Sequence, residues 1–378
     1  MLLAPFRLAA TAWLLWRAHG IPPRQTLRTF LDMRRRLGVT RYDFLTYRLW
    51  DEGRPLQERL AYMSLPDRLL LEDHINPLPD RRTLLANKAV VSERLADAGL
   101  PTPEVLALAG LRAPAVTRHR VLSDRGDLIA LLRTLPPGGV VVKPLFGHSG
   151  QGVMVFGGAS AEGVQRLDGS WMSVESLWRH ITARGPFEAY DPTLEGWIVQ
   201  RRVPPHPALA AIHGDTLGCV RMVTFRRRDG RIGLVTPPWK IPVGRSGVDN
   251  IGRGSFTAPV DLDTGSVGAA VLQETMLPQL RHPDTGASLA TITLPHWAET
   301  RRVVTEAMAL FPTLHSLGFD VGIGSEGPTI VEVNAFWGPQ FMQSPQGRGL
   351  VQGEFLAFLE EVGAESVIRR AQRGLPPR

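Results

Sequence analysis

The sequence predicts an α+β fold in which antiparallel strand pairs follow a helical beginning. Three hairpin signals indicate the strands: a glycine-rich one at 138–156, an Asp-Gly turn within 217–236, and an acidic one at 317–338. A chain of 378 residues can bury a full core and is long enough for two or three lobes. Its 43% of hydrophobic and 21% of charged residues are typical of a globular protein.

Cysteine content and hydropathy indicate in which cellular compartment the protein is expected. Cys219 is the only cysteine, which excludes an internal disulfide and favours a reducing, cytoplasmic compartment. No apolar run reaches the roughly 20 residues that a membrane span needs. The stretch 1–20 carries Arg7 among its apolar residues and no clearly placed cleavage site, so we interpret it as an amphipathic helix rather than a signal peptide.

The net charge of +7 is compatible with a nucleic-acid or anionic-membrane partner. Arginine is scattered through the whole chain, however, and no motif of a nucleic-acid module appears, so we expect no nucleic-acid partner. Three of the 43 basic residues are lysines, namely Lys88, Lys143 and Lys240. Because arginine replaces lysine easily on a surface, these three are expected where an ammonium group cannot become a guanidinium. Asparagine is nearly as rare, at Asn76, Asn87, Asn250 and Asn334.

Residues 1–80 are predicted to be helical, with turns at Pro22 and near Gly53. The basic stretch 25–37 has a helical period. It is interpreted as a solvated helix face, and docking to an acidic partner or a membrane surface is the alternative. No β-α-β pattern with a glycine fingerprint occurs here, so a leading Rossmann lobe is not expected.

Three more helices are predicted further along the chain. The segment 81–103 predicts a helix that contains Lys88 and ends at Gly99, before two prolines. Its buried side is expected to hold Leu84, Leu85, Val91 and Leu95. A second helix is predicted at 295–317, and a closing amphipathic helix at 350–370.

A strand, a lysine and a glycine-rich loop follow one another within 138–156. The buried strand 140–142 leads into Lys143, and the returning strand is 153–156. The loop between them contains Gly147, Gly150 and Gly152. Backbone amides of such a loop can converge on an anion, but in a P-loop the lysine follows the glycines, whereas here it precedes them. We therefore interpret the segment as a hairpin lid over phosphates, with a purely structural hairpin as the alternative.

Polar residues occur in the next strands and loops. Arg221 lies inside the predicted strand 217–226, where an unpaired charge would be costly, so it needs an anion. A protein carboxylate and a bound phosphate are equal alternatives for that anion. The polar loop 244–268 could line a substrate mouth. Its candidate residues are Asp249, Asn250, Arg253 and Ser255. The turn 282–286 is interpreted as an ordinary loop.

The acidic hairpin predicts a metal site. If its turn is centred on Glu326, Asp320 lies opposite Glu332 with Cβ atoms about 5 Å apart. Two facing carboxylates repel each other unless a cation lies between them. With Asn334 on the same face they offer hard oxygen donors, and the neighbouring glycines leave room above them. This set predicts a Mg²⁺ site that also receives phosphate oxygens, and a solvated face of an edge hairpin is the alternative. The other face of the second strand is expected to hold Val331 and Val333.

In their order along the chain these motifs resemble the ATP-grasp superfamily. The matching residues are Lys88 near a helix start, VVKP with Lys143, IVQ ending at Gln200, Arg221 in a strand, and FDV…VEVN with Asp320, Glu332 and Asn334. Within the superfamily the chain resembles the sugar-transfer-associated proteins, also called alpha-L-glutamate ligase-related, over roughly residues 40–350. The resemblance implies two α+β lobes whose antiparallel sheets grip ATP. The implied ATP-grasp domain is 81–372, with a lid lobe at about 138–203 and a metal-binding lobe at about 204–372.

The resemblance also implies roles for individual residues. Nucleotide binding is implied for Lys88, Lys143, Gly147, Ser149, Gly150, Gly152, Gln200, Arg201, Val203 and Lys240. Metal binding is implied for Asp320, Glu332 and Asn334, and catalytic roles are expected for Arg221, Lys240 and Arg253. The cofactors would be ATP and Mg²⁺, with Mn²⁺ as an alternative ion.

Two residues depart from the family pattern. Gln200 stands where a glutamate is usual, and Pro207 lies near the position at which many relatives bind ribose with an acid. Main-chain recognition of adenine is still expected, whereas ribose contacts are not implied. The helical beginning also differs from the Rossmann-like lobe of many ATP-grasp ligases, so acceptor binding cannot be copied from them.

The leading prediction is an ATP-dependent ligase that joins a carboxylate to an amine through an acyl phosphate, in cell-surface polysaccharide or sugar-linked metabolism. A kinase that uses the same phosphate machinery is one alternative. A non-catalytic binding module, docked to a membrane through 2–37, is the other. The expected partners are ATP, small-molecule or sugar-linked carboxylates and amines, and a peripheral membrane contact through the N-terminal helix.

Overall fold

The computed structural model describes residues 4–77, 79, 85, 87–111, 117–135, 138–147, 150–183, 195–244, 247, 255–272 and 277–364. The helices are α1 (Ala4–His19), α2 (Pro23–Leu37), α3 (Arg41–Thr46), α4 (Leu56–Leu60), α5 (Leu65–Ile75), α6 (Lys88–Asp97), α7 (Arg125–Thr134), α8 (Val174–Thr182), α9 (Pro207–His213), α10 (Trp297–Ala309), α11 (Pro339–Gln343) and α12 (Gly353–Glu361). The strands are β1 (Val105–Ala109), β2 (Val140–Pro144), β3 (Met154–Ser160), β4 (Gly163–Arg166), β5 (Trp171–Ser173), β6 (Trp197–Arg201), β7 (Cys219–Arg226), β8 (Ile232–Val235), β9 (Pro238–Ile241), β10 (Phe256–Pro259), β11 (Ala270–Leu272), β12 (Leu277–Gln279), β13 (Ser316–Gly324) and β14 (Gly327–Asn334).

Local sequence explains several helix ends. Pro23 lies in the first turn of α2, where its missing N–H is not needed, and Gly38 ends that helix with a φ of 66°. Asn87 caps α6, because its side-chain oxygen accepts hydrogen bonds from the amides of Ala89 and Val90. The helix predicted at 295–317 is shorter in the structure, because α10 ends at Ala309, before Pro312. Within the predicted helix 350–370, α12 ends at Glu361, and residues 365–370 lie outside the described residues.

Two antiparallel sheets form the rest of the fold. The first has six strands in the order β1-β6-β2-β3-β4-β5. The second has eight, in the order β12-β11-β10-β9-β7-β13-β14, with β8 beside β7. All three predicted hairpins are present, as β2–β3, β7–β8 and β13–β14. The predicted α+β class with antiparallel sheets is confirmed.

Helix α6 touches the cores of both sheets. Ala89, near the start of the helix, packs with Ile198 of β6 and with Leu145, which directly follows β2. Val91, two residues after Ala89, packs into the cluster that contains Phe319 of the second sheet. Lys88, the first residue of α6, therefore lies between the sheets.

The helical beginning has a core of its own. Phe30, Met33 and Tyr62 belong to one cluster of buried side chains. From Met63 onward the packing changes, because Met63 shares a cluster with Trp337, which follows the last strand of the second sheet. The packing thus changes well before residue 80, and the division of the chain into domains stays a prediction. In the part of the chain that the structure describes, no helix is long and apolar enough to cross a membrane.

Candidate active site

The three lysines of the chain all reach the β13–β14 hairpin. Lys88 Nζ donates a hydrogen bond to the Gly147 carbonyl at 2.7 Å and lies 3.8 Å from Glu332 Oε1. Lys143, on β2 of the first sheet, donates to the Val331 carbonyl at 3.3 Å. Lys240, on β9, lies 3.4 Å from Asp320 Oδ1. The side chains of the two sheets thus meet at one place.

Burial disfavours the charged form of two of these lysines. It lowers the pKa of Lys88, although the charge of Glu332 opposes the shift. It lowers the pKa of Lys143 to about 8, where Glu332 again opposes the shift and the nearby Lys88 charge adds to it. A buried ammonium that lacks sufficient counter-charge is stabilised by an incoming anion.

Asp320 forms the centre of a buried ion cluster. It lies opposite Arg221 of β7 on one side and opposite Glu332 of β14 on the other. Arg221 binds it with two nitrogens, at 2.6 Å from Nε to Oδ1 and 2.9 Å from Nη2 to Oδ2. Burial would raise the pKa of Asp320, but the charges of Arg221 and Lys240 lower it below its usual value.

Arg221 therefore has a protein carboxylate as its partner, which is one of the two alternatives that the sequence left equal. Its third nitrogen, Nη1, donates to the Trp337 carbonyl at 3.1 Å. Each nitrogen of the guanidinium is used within the protein. The planar fork of Arg221 thus fixes the carboxylate of Asp320, and the catalytic role of Arg221 stays a prediction.

The predicted register of the hairpin is confirmed, with one added feature. Gly324 pairs with Gly327, so the turn itself is formed by two residues, and Val321 pairs with Ile330. A β-bulge then leaves Val331 as an extra residue, which restores Asp320 to its place opposite Glu332. The expectation that Val331 and Val333 share a face is wrong, because the core contains Ile330 and Val333. The Val331 carbonyl receives Lys143 instead.

The space above the hairpin glycines is filled. A Cβ added to Gly318 would collide with Trp337, and one added to Gly322 would lie 2.5 Å from Leu217 Cδ2. The expectation that these glycines leave room for a metal ion is therefore wrong. They permit close packing of other side chains against the hairpin instead.

The donor set fits a hard cation only together with phosphate oxygens. Glu332 is partly exposed, and the buried amide nitrogen of Asn334 has no hydrogen-bond partner among the described residues. Both oxygens of Asp320 are already bound by Arg221. Within the described residues no group of three or more acidic, histidine or cysteine side chains could hold a metal. A divalent ion alone would meet more positive than negative charge here, whereas a polyphosphate would supply the missing anionic oxygens.

The glycine-rich loop lies beside the lysines. Gly147, Gly150 and Gly152 have left-handed φ angles of 121°, 66° and 74°. A Cβ on Gly152 would lie 2.9 Å from Pro144 Cγ, so the loop also packs closely on the end of β2. Ser149, a predicted nucleotide contact, lies outside the described residues.

In the segment predicted to bind adenine, residues 200–203, the side chains of Gln200 and Arg201 bind other groups of the protein. Gln200 is buried, and its amide nitrogen donates to Ser92 Oγ at 3.3 Å and to the Pro103 carbonyl at 3.4 Å. Arg201 pairs with Glu104, with 2.6 Å between Nη2 and Oε2. The Val203 amide donates no hydrogen bond to another described residue. Main-chain groups are thus what this segment can offer to a base.

The family model for sugar-transfer associated ATP-grasp proteins matches residues 70–357, more than half of the chain. The chain belongs to that family. This membership confirms the ATP-grasp fold and supports ATP binding. No curated protein matches the chain.

Several solved enzyme structures are similar to this ATP-grasp chain. They include N5-carboxyaminoimidazole synthetase from Staphylococcus aureus, complexed with ADP (11% identity, 67% of this chain and 45% of that chain, TM-score 0.37). D-alanyl-alanine synthetase A from Vibrio cholerae (13%, 78% and 67%, 0.41) and an L-amino acid ligase from Bacillus licheniformis (13%, 67% and 43%, 0.36) are two others. The chain spans less than half of the first and the last of these enzymes, and the family assignment depends on the sequence match.

The loop between β9 and β10 of the ATP-grasp chain is only partly described. Arg253, with the other loop candidates at 249 and 250, lies outside the described residues. Ser255 is buried, with 1% of its surface exposed, so it does not line an open mouth. Gly247 lies against Val155 of β3, which brings this loop next to the first sheet. The turn 282–286 is more than an ordinary loop, because its buried His282 contacts the Pro242 carbonyl at 2.7 Å.

Sequence reasoning missed a residue that holds the hairpin in place. Asn76 donates to the carbonyls of Ser316 at 2.7 Å and Ala335 at 3.3 Å, and its oxygen accepts from the His315 amide at 3.1 Å. It thereby ties the start of β13 to the segment after β14. The rarity of asparagine was the available signal. Of the other three, Asn250 and Asn334 are predicted loop and metal residues, and Asn87 caps α6 in the structure.

Proposed function

We propose that this ATP-grasp chain is an ATP-dependent ligase that activates a carboxylate as an acyl phosphate and joins it to an amine. One observation carries the proposal. Three lysines and Arg221 surround the two carboxylates of one hairpin, so the fully ionised cluster has a net charge of two positive units. Such an excess in a partly buried place favours a polyanion such as the triphosphate of ATP.

In this proposal the lysines hold the nucleotide. Lys88 and Lys143 bind phosphate oxygens from two sides, and Lys240 makes a further contact near Asp320. The loop that contains Gly147, Ser149, Gly150 and Gly152 covers the phosphates and excludes water that would hydrolyse an acyl phosphate. Main-chain groups of the segment from Gln200 through Arg201 to Val203 bind adenine.

Mg²⁺, or Mn²⁺, would be held by Glu332 and Asn334 together with phosphate oxygens, while Asp320 fixes the neighbouring cations. When bound, the ion neutralises charge that develops on the phosphoryl group. Arg221 keeps Asp320 in place and does not touch the reactants. Arg253 is the proposed contact for the oxyanion of the second step.

The reaction has two balanced steps. A carboxylate oxygen attacks the γ-phosphorus, the bond to the β-phosphate oxygen breaks, and ADP leaves. An amine then attacks the acyl carbon, inorganic phosphate leaves with the bonding electrons, and the amine nitrogen loses a proton. Alignment of the reactants and fixed charges supply most of the rate enhancement.

The proposed setting follows from the family. Its description as sugar-transfer associated supports a sugar-linked acid or amine from cell-surface polysaccharide metabolism. We place the protein in the cytoplasm, with a peripheral membrane contact through its N-terminal helices.

The test is ATP turnover with candidate acids and hydroxylamine in place of the amine. A ligase releases ADP and forms a hydroxamate, whereas a kinase leaves a stable phosphorylated product. ATP binding without turnover for any acid tested would favour the non-catalytic alternative. Lys143→Ala is the matched control, because it should remove turnover while the circular dichroism spectrum stays unchanged.

A further inference from the structure

We propose that α1 and α2 form a docking surface for an anionic lipid bilayer. This inference specifies the membrane contact of the proposed function, but it depends on no catalytic residue. The helices follow one another and pack into one cluster, in which Leu15 of α1 meets Phe30 and Met33 of α2. Their opposite faces therefore point away from the body of the protein.

The outward faces carry large apolar side chains. They are Trp13, Leu14, Trp16, Leu27 and Leu31, and each is between 44% and 53% exposed. These five residues lie on two helices that pack against each other, so the exposed apolar side chains are concentrated in one part of the protein. We call this group, with the arginines around it, the N-terminal docking surface.

Arginines lie between the apolar residues. The exposed ones are Arg17, Arg24, Arg28, Arg34 and Arg35. Arg28 is paired with Glu52 at 3.1 Å, and Asp32 is paired with Arg36 at 2.9 Å. Within the part of the chain that the structure describes, the other four exposed arginines form no ion pair with an acidic residue. The N-terminal docking surface is therefore positively charged.

A bilayer with anionic headgroups can bind both the apolar side chains and the arginines of the N-terminal docking surface. Indole rings such as those of Trp13 and Trp16 prefer the headgroup level, and leucines enter the acyl boundary. Guanidinium groups beside them bind lipid phosphates, and Arg17 already lies over the Trp13 ring at 5.2 Å. Neither α1 nor α2 can cross the bilayer, so both would lie in its surface.

Other binding partners would match either the apolar side chains or the arginines of the N-terminal docking surface, but not both. Nucleic acid would pair with the arginines but leave Trp13, Trp16 and the leucines in water. A second copy of the same surface would cover the apolar residues but bring like charges together. A zwitterionic bilayer would offer no net charge to the unpaired arginines.

The test is co-sedimentation of the full chain with vesicles of phosphatidylcholine, with and without phosphatidylglycerol. We expect binding that requires phosphatidylglycerol and weakens as salt is added. Arg34→Gln with Arg35→Gln should weaken it about 30-fold, because each substitution removes one attraction to the anionic surface. Arg133→Gln with Arg281→Gln, which changes the net charge equally at other exposed sites, should change it little.

The apolar half is tested by Trp13→Ala with Trp16→Ala, which should weaken binding at least about tenfold. Trp171→Ala, which removes an equally exposed indole on β5, is its control. Brominated lipids should quench part of the tryptophan fluorescence, and this quenching should be absent from the Trp13→Phe, Trp16→Phe variant.

Three results would overturn the inference: no binding to either vesicle, equal binding to both, or equal losses in the variants and their controls. Self-association without vesicles that the Trp13→Ala, Trp16→Ala variant abolishes would also overturn it. The Lys143→Ala variant should still bind vesicles, and the docking variants should still turn over ATP in solution. A failure of docking and a failure of the proposed ligase function are therefore separable.

Discussion

The two carboxylates of the β13–β14 hairpin lie opposite each other in different surroundings. Asp320 belongs to a strand that is buried along its whole length, and Arg221 and Lys240 surround it. Glu332 belongs to the last strand of the sheet, is partly exposed, and lies 3.8 Å from its nearest cation, Lys88. One half of the hairpin is thus a closed ion cluster, and the other half can still receive a ligand.

The lysines divide in the same way. Lys240 already has Asp320 as a partner, whereas the buried Lys143 uses a carbonyl and its pKa falls to about 8. We therefore expect the phosphate groups on the Glu332 side of the hairpin. Residues of one motif thus differ in role: Asp320 and Lys240 pair with each other within the protein, whereas Glu332 and Lys143 are available to a ligand.

The largest effect is expected for Asp320→Asn, which removes the anion between Arg221 and Lys240. Because two cations then stay buried without their counter-charge, the free energy of unfolding should fall by about 3–5 kcal/mol, and ATP turnover should be lost. Guanidinium denaturation measures the first and ADP release the second. An unchanged free energy of unfolding would contradict the view that Asp320 stabilises the buried ion cluster.

Glu332→Gln should separate binding from stability. We expect ADP release to fall by about 10²- to 10³-fold, because the site loses its partly exposed carboxylate ligand. The free energy of unfolding should change by less than about 1 kcal/mol, since the contact with Lys88 is long and partly solvated. Glu326→Gln, in the exposed turn, is the control and should retain full activity.

The pH dependence of ATP binding should report Lys143. Above pH 8 the ammonium loses its proton, so the dissociation constant of ATP should rise, approaching about tenfold per pH unit. The ligand-free protein should behave oppositely. Its Lys143 pKa lies below the ordinary 10.5, so the unfolded chain binds more protons between these values and stability rises with pH.

Calorimetric titration and denaturation at several pH values measure these two trends. Lys143→Met should weaken both, because it removes the titrating group without introducing another charge. If the variant keeps the full pH dependence of ATP binding, another group is responsible.

The smallest effect is expected for Arg201→Gln, at a residue that the family resemblance assigned to nucleotide binding. Its side chain pairs with Glu104 at the surface, so stability should change by less than about 1 kcal/mol. The KM for ATP should stay within about twofold of wild type, because a solvent-exposed pair of this kind contributes little. A large rise in KM would place the Arg201 side chain at the nucleotide.

Much of the site was predictable because its signals are local or compositional. The rarity of lysine selected Lys88, Lys143 and Lys240, and the structure brings all three to one hairpin. The alternation of side chains along a strand placed Asp320 opposite Glu332, as observed. Neither inference required knowledge of how distant segments pack.

Other features depend on residues far apart in the sequence. The partner of Arg221 could not be chosen from the sequence, because a carboxylate and a phosphate satisfy a guanidinium equally well. The space above Gly318 and Gly322 seemed open, but Trp337 and Leu217 fill it. A glycine permits close approach in either case, and only packing decides what approaches.

The α+β class, the three hairpins, the rare lysines and the opposed carboxylates can be derived from the amino-acid sequence, because strand period, turn residues and composition act over short distances. Which cation neutralises which carboxylate depends on the folded chain, as does the bulge at Val331, whose carbonyl accepts a hydrogen bond from Lys143. Those outcomes follow from long-range packing, since a buried charge accepts whichever partner the folded chain brings within hydrogen-bonding distance.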